Sequence, residues 1–305
     1  MKTHRLAIVL SMATYVLLLV GGLVHGTDSG LACPDWPTCY GSLMPPMHGH
    51  IFYEHTHRLV ATSVGLLTVI LAIALWRSRR DDTRLRRFGL FAVALVVVQG
   101  VLGGLTVLYR LPDAVSTAHL GVSMLFFATT LVLAFRTRPA PASPADVAPR
   151  LRRLVRIATV LVYCQLLLGA LVRHVDGAAL VCHLDVVLCK GQLWPDWHWT
   201  AKLQMLHRMN ALAILATTSS TAALALRGVR GRVRALAVAA PILVVVQIVL
   251  GVLSIRSLLE VYTVTAHLGV AAAIFGDHVC LWIATRRPSI AAPADVLAAQ
   301  REAHA

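Results

Sequence analysis

Eight uninterrupted apolar runs of about 20 residues divide this chain, each the length a helix needs to cross ~30 Å of hydrocarbon at ~1.5 Å per residue. They fall at 6–25, 57–76, 88–108, 115–135, 155–173, 203–226, 235–255 and 261–284. Hydrocarbon offers no water to backbone N–H and C=O groups, so such runs predict helices and an all-α integral membrane protein. An apolar content of 57% and a mean hydropathy of +0.72 exclude a soluble domain with a polar exterior. The first run follows Lys2 and Arg5 but lacks a small-x-small cleavage site, and so reads as a retained helix rather than a removed signal peptide.

A net charge of +14 would suit a nucleic-acid partner if the basic residues shared one surface. They do not: 21 of the 28 lie before the first run, in every second connection, or after the last run. The positive-inside rule therefore puts both termini in the cytoplasm and leaves no role for nucleic acid. Four of the six cysteines fall in the opposite, outward loops, Cys33 with Cys39 and Cys182 with Cys189, on the side where disulfides persist. Cys164 and Cys280, inside apolar runs, read as buried inert residues.

The chain also repeats itself. VVVQGVLGGL from Val96 returns as VVVQIVLGVL from Val244, and Thr117-Ala-His119-Leu-Gly121 returns around His267, both at an offset of 148. His57-Arg58 returns as His207-Arg208 at 150, and the loop cysteines at 149 and 150. Each copy holds an even number of helices, so both cross the membrane in the same sense. The predicted architecture is two tandem, same-orientation four-helix bundles related by a pseudo-twofold axis along the membrane normal. The halves are 1–138 and 151–287, joined by a Pro-rich cytoplasmic linker, 139–150, and followed by a tail, 288–305.

Alternation of the spans puts His57 at the outer start of the second helix and His119 a turn or so into the fourth. His207 and His267 repeat that placement in the second half. A lone membrane histidine is ordinarily a packed, hydrogen-bonded core residue, but a duplicated pair on facing helices is a way to hold one haem iron from both faces. Zinc would want further cysteines or carboxylates here, and a di-iron site repeated Glu-x-x-His, of which only Glu54-x-x-His57 is present. Gly100, Gly103, Gly104, Gly121, Gly251 and Gly269 would admit either a macrocycle or a neighbouring helix. Arg58 and Arg208 could meet haem propionates or lipid head groups. Gln99 and Gln247 are either interhelical hydrogen-bonding residues or partners of the histidines. Asp277 has no evident role.

The halves differ at Glu54, whose equivalent is Gln204. A carboxylate three residues before His57 shares its helix face, where it could act as a general base or pair with Arg58. Reaction is therefore assigned to the first half and electron transfer to the second. A bis-histidine dihaem cytochrome is the alternative.

Glu54-His-Thr-His57-Arg58, the loop Gly30-Leu-Ala-Cys33-Pro-Asp-Trp-Pro-Thr-Cys39 and the doubled Thr-Ala-His-Leu-Gly closely resemble the haem A synthase family of respiratory membranes. The resemblance implies oxidation of a methyl group of haem O to a formyl group by successive hydroxylations and loss of water, giving haem A for cytochrome oxidase. It implies His207 and His267 as axial ligands of a resident haem b, His57 and His119 as ligands of the substrate haem, and Glu54 as the catalytic carboxylate. It matches Cys33–Cys39 to the family's outer-loop pair, with a clasp or a redox role open, and makes Cys182–Cys189 a clasp. It places the protein in a bacterial inner membrane with its haem sites toward the outer face. Delivery of haem O implies contact with the farnesyltransferase that makes it; the electron donor and any homo-oligomer are left open. His55, inside the motif, departs from the family pattern and lies about 200° around the helix from His57.

Overall fold

The computed structural model describes residues 2–138 and 147–286, so most of the predicted linker and all of the predicted tail lie outside the described residues. Within them are eight helices: α1 (Lys2–Gly26), α2 (Gly49–Ser78), α3 (Thr83–Leu108), α4 (Asp113–Arg136), α5 (Pro149–His174), α6 (Trp199–Gly228), α7 (Gly231–Arg256) and α8 (Val261–Thr285). All eight are long and apolar enough to cross a membrane, and no strand is present among the described residues.

The helices outrun the apolar runs at almost every end. Backbone hydrogen bonding continues through polar residues in the head-group layer, so hydropathy marks only the part in hydrocarbon. α2 thus begins at Gly49, and His57 lies eight residues inside it rather than at its start. α5 begins at Pro149, inside the predicted linker, because proline suits a first helical turn whose N–H needs no partner. Asp82 starts α3 by accepting from Leu85 N, and Glu260 starts α8 by accepting from Thr263 N.

Each half closes a ring, α1–α2–α3–α4–α1 and α5–α6–α7–α8–α5, and the halves meet through α1, α4, α5 and α8. Their contacts are reciprocal. Tyr15 donates to Gly269 O at 3.0 Å, and Tyr163, its equivalent, donates to Gly121 O at 3.3 Å. Tyr15 packs on Phe127 as Tyr163 does on Phe275, with ring centroids 6.1 and 5.8 Å apart. A Cβ added at Gly121 would stand 2.8 Å from Leu167, and one at Gly269 2.7 Å from Leu19. Residue i of one half touching j of the other, and the reverse, is the signature of a twofold relation. These two glycines therefore serve helix packing. The seam is filled by Leu18, Met124, Phe127, Leu166, Ala272 and Phe275.

Two expectations are corrected. Cys164 is exposed and Cys280 half-buried, because the outer face of a span packs on lipid, which is as apolar as a core and accepts a thiol. Gly100 has nothing within 4 Å of a built Cβ, so no described helix packs against it.

Candidate functional site

The four predicted histidines are treated alike by the fold. His57 and His207 sit eight residues into α2 and α6, and His119 and His267 six residues into α4 and α8. Depths of about 12 and 9 Å along their helices follow from the rise per residue. Each ring lies against a glycine of the preceding helix. A Cβ built at Gly21 would meet His57 Cε1 at 3.1 Å; the values are 3.2 Å for Gly103 and His119, 3.1 Å for Gly169 and His207, and 3.0 Å for Gly251 and His267. In every case Nε2 is the ring nitrogen farther from the glycine. Nδ1 of all four is buried without a hydrogen-bond partner, while each residue as a whole is half-buried.

Four such nitrogens are unusual, since a buried polar atom left unpaired costs about 1–3 kcal/mol. A hydrogen-bonded core role does not account for them. Seating the ring in a glycine cradle with Nε2 turned away, on α2 and α4 of one half and on α6 and α8 of the other, is a geometry that fits ligation of an iron between two imidazoles.

Gln99 and Gln165 pin the backbone beneath two of these rings. Gln99 Nε2 donates to His119 O at 2.8 Å and to the Ser123 hydroxyl; Gln165 Nε2 donates to His207 O at 3.0 Å and lies 3.3 Å from His207 Nε2. Gln99 and Gln247 both leave Oε1 buried and unpartnered. Gln165 and the glycines Gly21 and Gly169 went unrecognised in the sequence. Their signal was there: Gln-x-x-Leu-Gly occurs at Gln99, Gln165 and Gln247, with Leu17 and Val20 replacing the glutamine and leucine in α1.

The sequence contrast between Glu54 and Gln204 becomes a contrast in hydrogen bonding. Glu54, 3% exposed, accepts from Cys33 N at 2.7 Å and from Arg58 Nη2 at 2.5 Å. Gln204 instead donates to Ala179 O at 2.9 Å. Arg58 also donates to the carbonyls of Asp35, Thr38 and Cys33, leaving only Nε uncommitted. Arg208 donates to Leu188 O at 2.9 Å, the equivalent of the Thr38 contact, but its Nη2 is buried and unpartnered. A spare donor for an anionic group thus exists beside His207, whereas Arg58 binds the loop to the carboxylate.

Those loops are themselves repeated. Disulfides join Cys33 to Cys39 and Cys182 to Cys189, each followed by a tight turn, Cys39–Ser42 and Cys189–Gln192. Asp35 caps one turn through Tyr40 N and Gly41 N, and Asp185 caps the other through Gly191 N while also accepting from Val187 N and Leu188 N just before it. Gly41 and Gly191, at φ +72° and +79°, hold the left-handed position these turns require. The Thr38 hydroxyl, then the Gly41 and Tyr40 N–H groups, hold the Asp35 carboxyl down at about 2. The first loop reaches into its bundle: a Cβ at Gly104 would stand 2.8 Å from Trp36.

Between the halves, His25 and His174 pack with ring centroids 4.7 Å apart, and Arg173 donates to His25 O at 3.2 Å. Asp277 lies 4.0 Å from His278, with Oδ2 buried and unpartnered; nothing in the structure explains it.

An eight-helix membrane protein with glycine-cradled histidines at two related positions, and a buried carboxylate three residues before one of them where the other half has Gln204, is the class defined by this geometry. The chain matches the family model described as cytochrome oxidase assembly protein over residues 4–51 and 47–279, and it belongs to that family. Among its relatives are proteins named "Heme A synthase". One from Symbiobacterium thermophilum is 35% identical over 69% of this chain and 72% of its own length. Others, from Shouchella clausii and Bacillus licheniformis, are 32% and 26% identical over 69% and 89% of this chain and 71% and 92% of their own lengths.

Proposed function

We propose that this protein is a haem A synthase, an oxidoreductase that converts a methyl group at the porphyrin edge of haem O into the formyl group of haem A. The observation that carries the reading is two sets of glycine-cradled histidines, with a buried carboxylate, Glu54, three residues before His57 and an amide, Gln204, at the same place before His207. His57 and His119 hold the substrate haem by its iron and so fix which porphyrin edge faces Glu54. His207 and His267 hold a resident haem b, which when bound supplies one-electron transfer. Gln165 and Gln99 keep the ligand-bearing backbone in place, and Arg208 offers its free Nη2 to a propionate.

Two hydroxylations of one carbon give a geminal diol, whose collapse to an aldehyde expels water. One hydroxyl must gain a proton as it leaves and the other must lose one. A single carboxyl group beside the carbon can give the first and take the second, which is the role assigned to Glu54. Arg58 keeps that group aimed until substrate arrives. The second half, with Gln204 at this place, cannot perform the exchange and serves electron transfer.

The proposed setting is a bacterial inner membrane with both termini cytoplasmic and both histidine pairs toward the outer face, haem O arriving from its farnesyltransferase. The functional division follows the halves 1–138 and 151–287. Expression with a haem O source, followed by pigment extraction, tests the reading: haem A is expected. Unaltered haem O together with a normal haem spectrum would refute it and leave a dihaem cytochrome.

A further inference from the structure

The first outer loop carries a cluster that haem oxidation does not use. The sulfurs of Cys33 and Cys39 and a ring nitrogen of His55 lie within 4.8 Å of one another, and all three residues are buried. His55 Nε2 stands 3.0 Å from Leu43 O. A carbonyl only accepts, so Nε2 bears the proton, and in the neutral ring Nδ1 bears the lone pair. That Nδ1 is buried and has no partner, in a residue only 3% exposed.

The second loop is an internal control. At the offset of 150 that relates the loops, His55 corresponds to Met205, which is buried and packs on Cys182 and Cys189. A thioether fills that space, so packing against the disulfide does not require an imidazole. What His55 adds is an imidazole with a buried, unpartnered Nδ1 and a ring nitrogen within 4.8 Å of both sulfurs.

We propose that reduction of Cys33–Cys39 turns this cluster into a site for one d10 cation of the Zn2+ or Cu+ type, held by two thiolates and His55. Thiolate and imidazole donors select these ions over Mg2+ or Ca2+. Metal–ligand bonds of about 2.0–2.3 Å place donors about 3.3–3.8 Å apart, a spacing reached when the reduced sulfurs part to nearly twice the length of a disulfide bond, with the ring nitrogen already within 4.8 Å of them. The disulfide takes two electrons and two protons from a dithiol donor, which is itself oxidised to a disulfide. Metal binding then releases the two thiol protons to solvent. Access is through the Cys39–Ser42 turn, which is closed by two backbone hydrogen bonds and bordered by exposed Tyr40 and Leu43. The site is independent of the haem reading and stands or falls separately from it.

The test uses the full-length protein in detergent, reduced with a phosphine, freed of reductant without oxygen and given Zn2+ alone. Zinc is counted by elemental mass spectrometry and free thiols by alkylation. About one zinc per chain is expected after reduction and none after reoxidation, with sulfur and nitrogen scatterers in the zinc X-ray absorption. His55→Met keeps the packing seen at Met205 and should weaken zinc binding by more than about tenfold, with thiol count and haem spectrum unchanged. Cys182→Ser should leave zinc bound, and Cys33→Ser should abolish it. Zinc binding that survives reoxidation or is indifferent to His55→Met overturns the proposal. So does no binding with the thiols counted free, or a disulfide the phosphine cannot open in the folded protein.

Discussion

Replacing Gly251 by alanine tests the cradle on which the haem reading rests. The new Cβ would lie 3.0 Å from His267 Cε1 and 3.6 Å from Nδ1. Unstrained carbon contacts begin near 3.5 Å, so the ring must recede by about 0.5 Å. Metal–ligand distances hold to about 0.2 Å, so the ligand leaves its bonding position or the helices part. Overpacking of this kind costs about 1–3 kcal/mol, which is about 5- to 140-fold in haem affinity. Alanine in a helix also gains up to about 1 kcal/mol over glycine, so thermal stability should not fall in step. Haem-to-protein ratio and thermal melting, measured on the same preparations, separate the two effects. Gly100→Ala, with open space around its Cβ, is the control and should keep its haem and melt no lower. Wild-type haem content and an unchanged axial-ligand spectrum in Gly251→Ala would refute the cradle.

Glu54→Gln should lower haem A formation by about 100-fold or more while the second-half haem stays bound, as pigment analysis and visible spectra will show. Because the variant also breaks the buried pair with Arg58, unfolding in denaturant should move by on the order of 1–3 kcal/mol. Gly104→Ala drives a Cβ against Trp36 and should loosen the first loop, read as faster proteolysis there but not in the second loop. The Asp35 carboxyl is held below its ordinary value, so its support of the Cys39–Ser42 turn is complete above that value and is lost as pH falls through about 2. Asp35→Asn should move hydrogen exchange of Tyr40 and Gly41 at neutral pH toward what the parent shows below pH 2.

Much of the architecture was readable because a bilayer imposes a one-dimensional code: about 20 apolar residues per crossing, basic residues on one side. Repetition then told which residues share a role, as with His57 and His207. Helix ends were not readable, since polar residues outside hydrocarbon extend a helix as readily as they end it. Nor was the paired use of positive φ at Arg110-Leu111 and Leu258-Leu259. Those turns join α3 to α4 and α7 to α8 through residues that carry no glycine signal, and closure of each ring imposes the conformation.

The span count, the doubling of the halves and the recurrence of the four histidines needed only residue order, because membrane crossing and internal duplication are local, periodic properties. Which glycine faces which ring, and that Glu54 reaches both Arg58 and the Cys33 N–H, depended on how neighbouring helices rotate against one another. Rotation is set by side-chain packing summed across the whole seam, and no single stretch of sequence contains it.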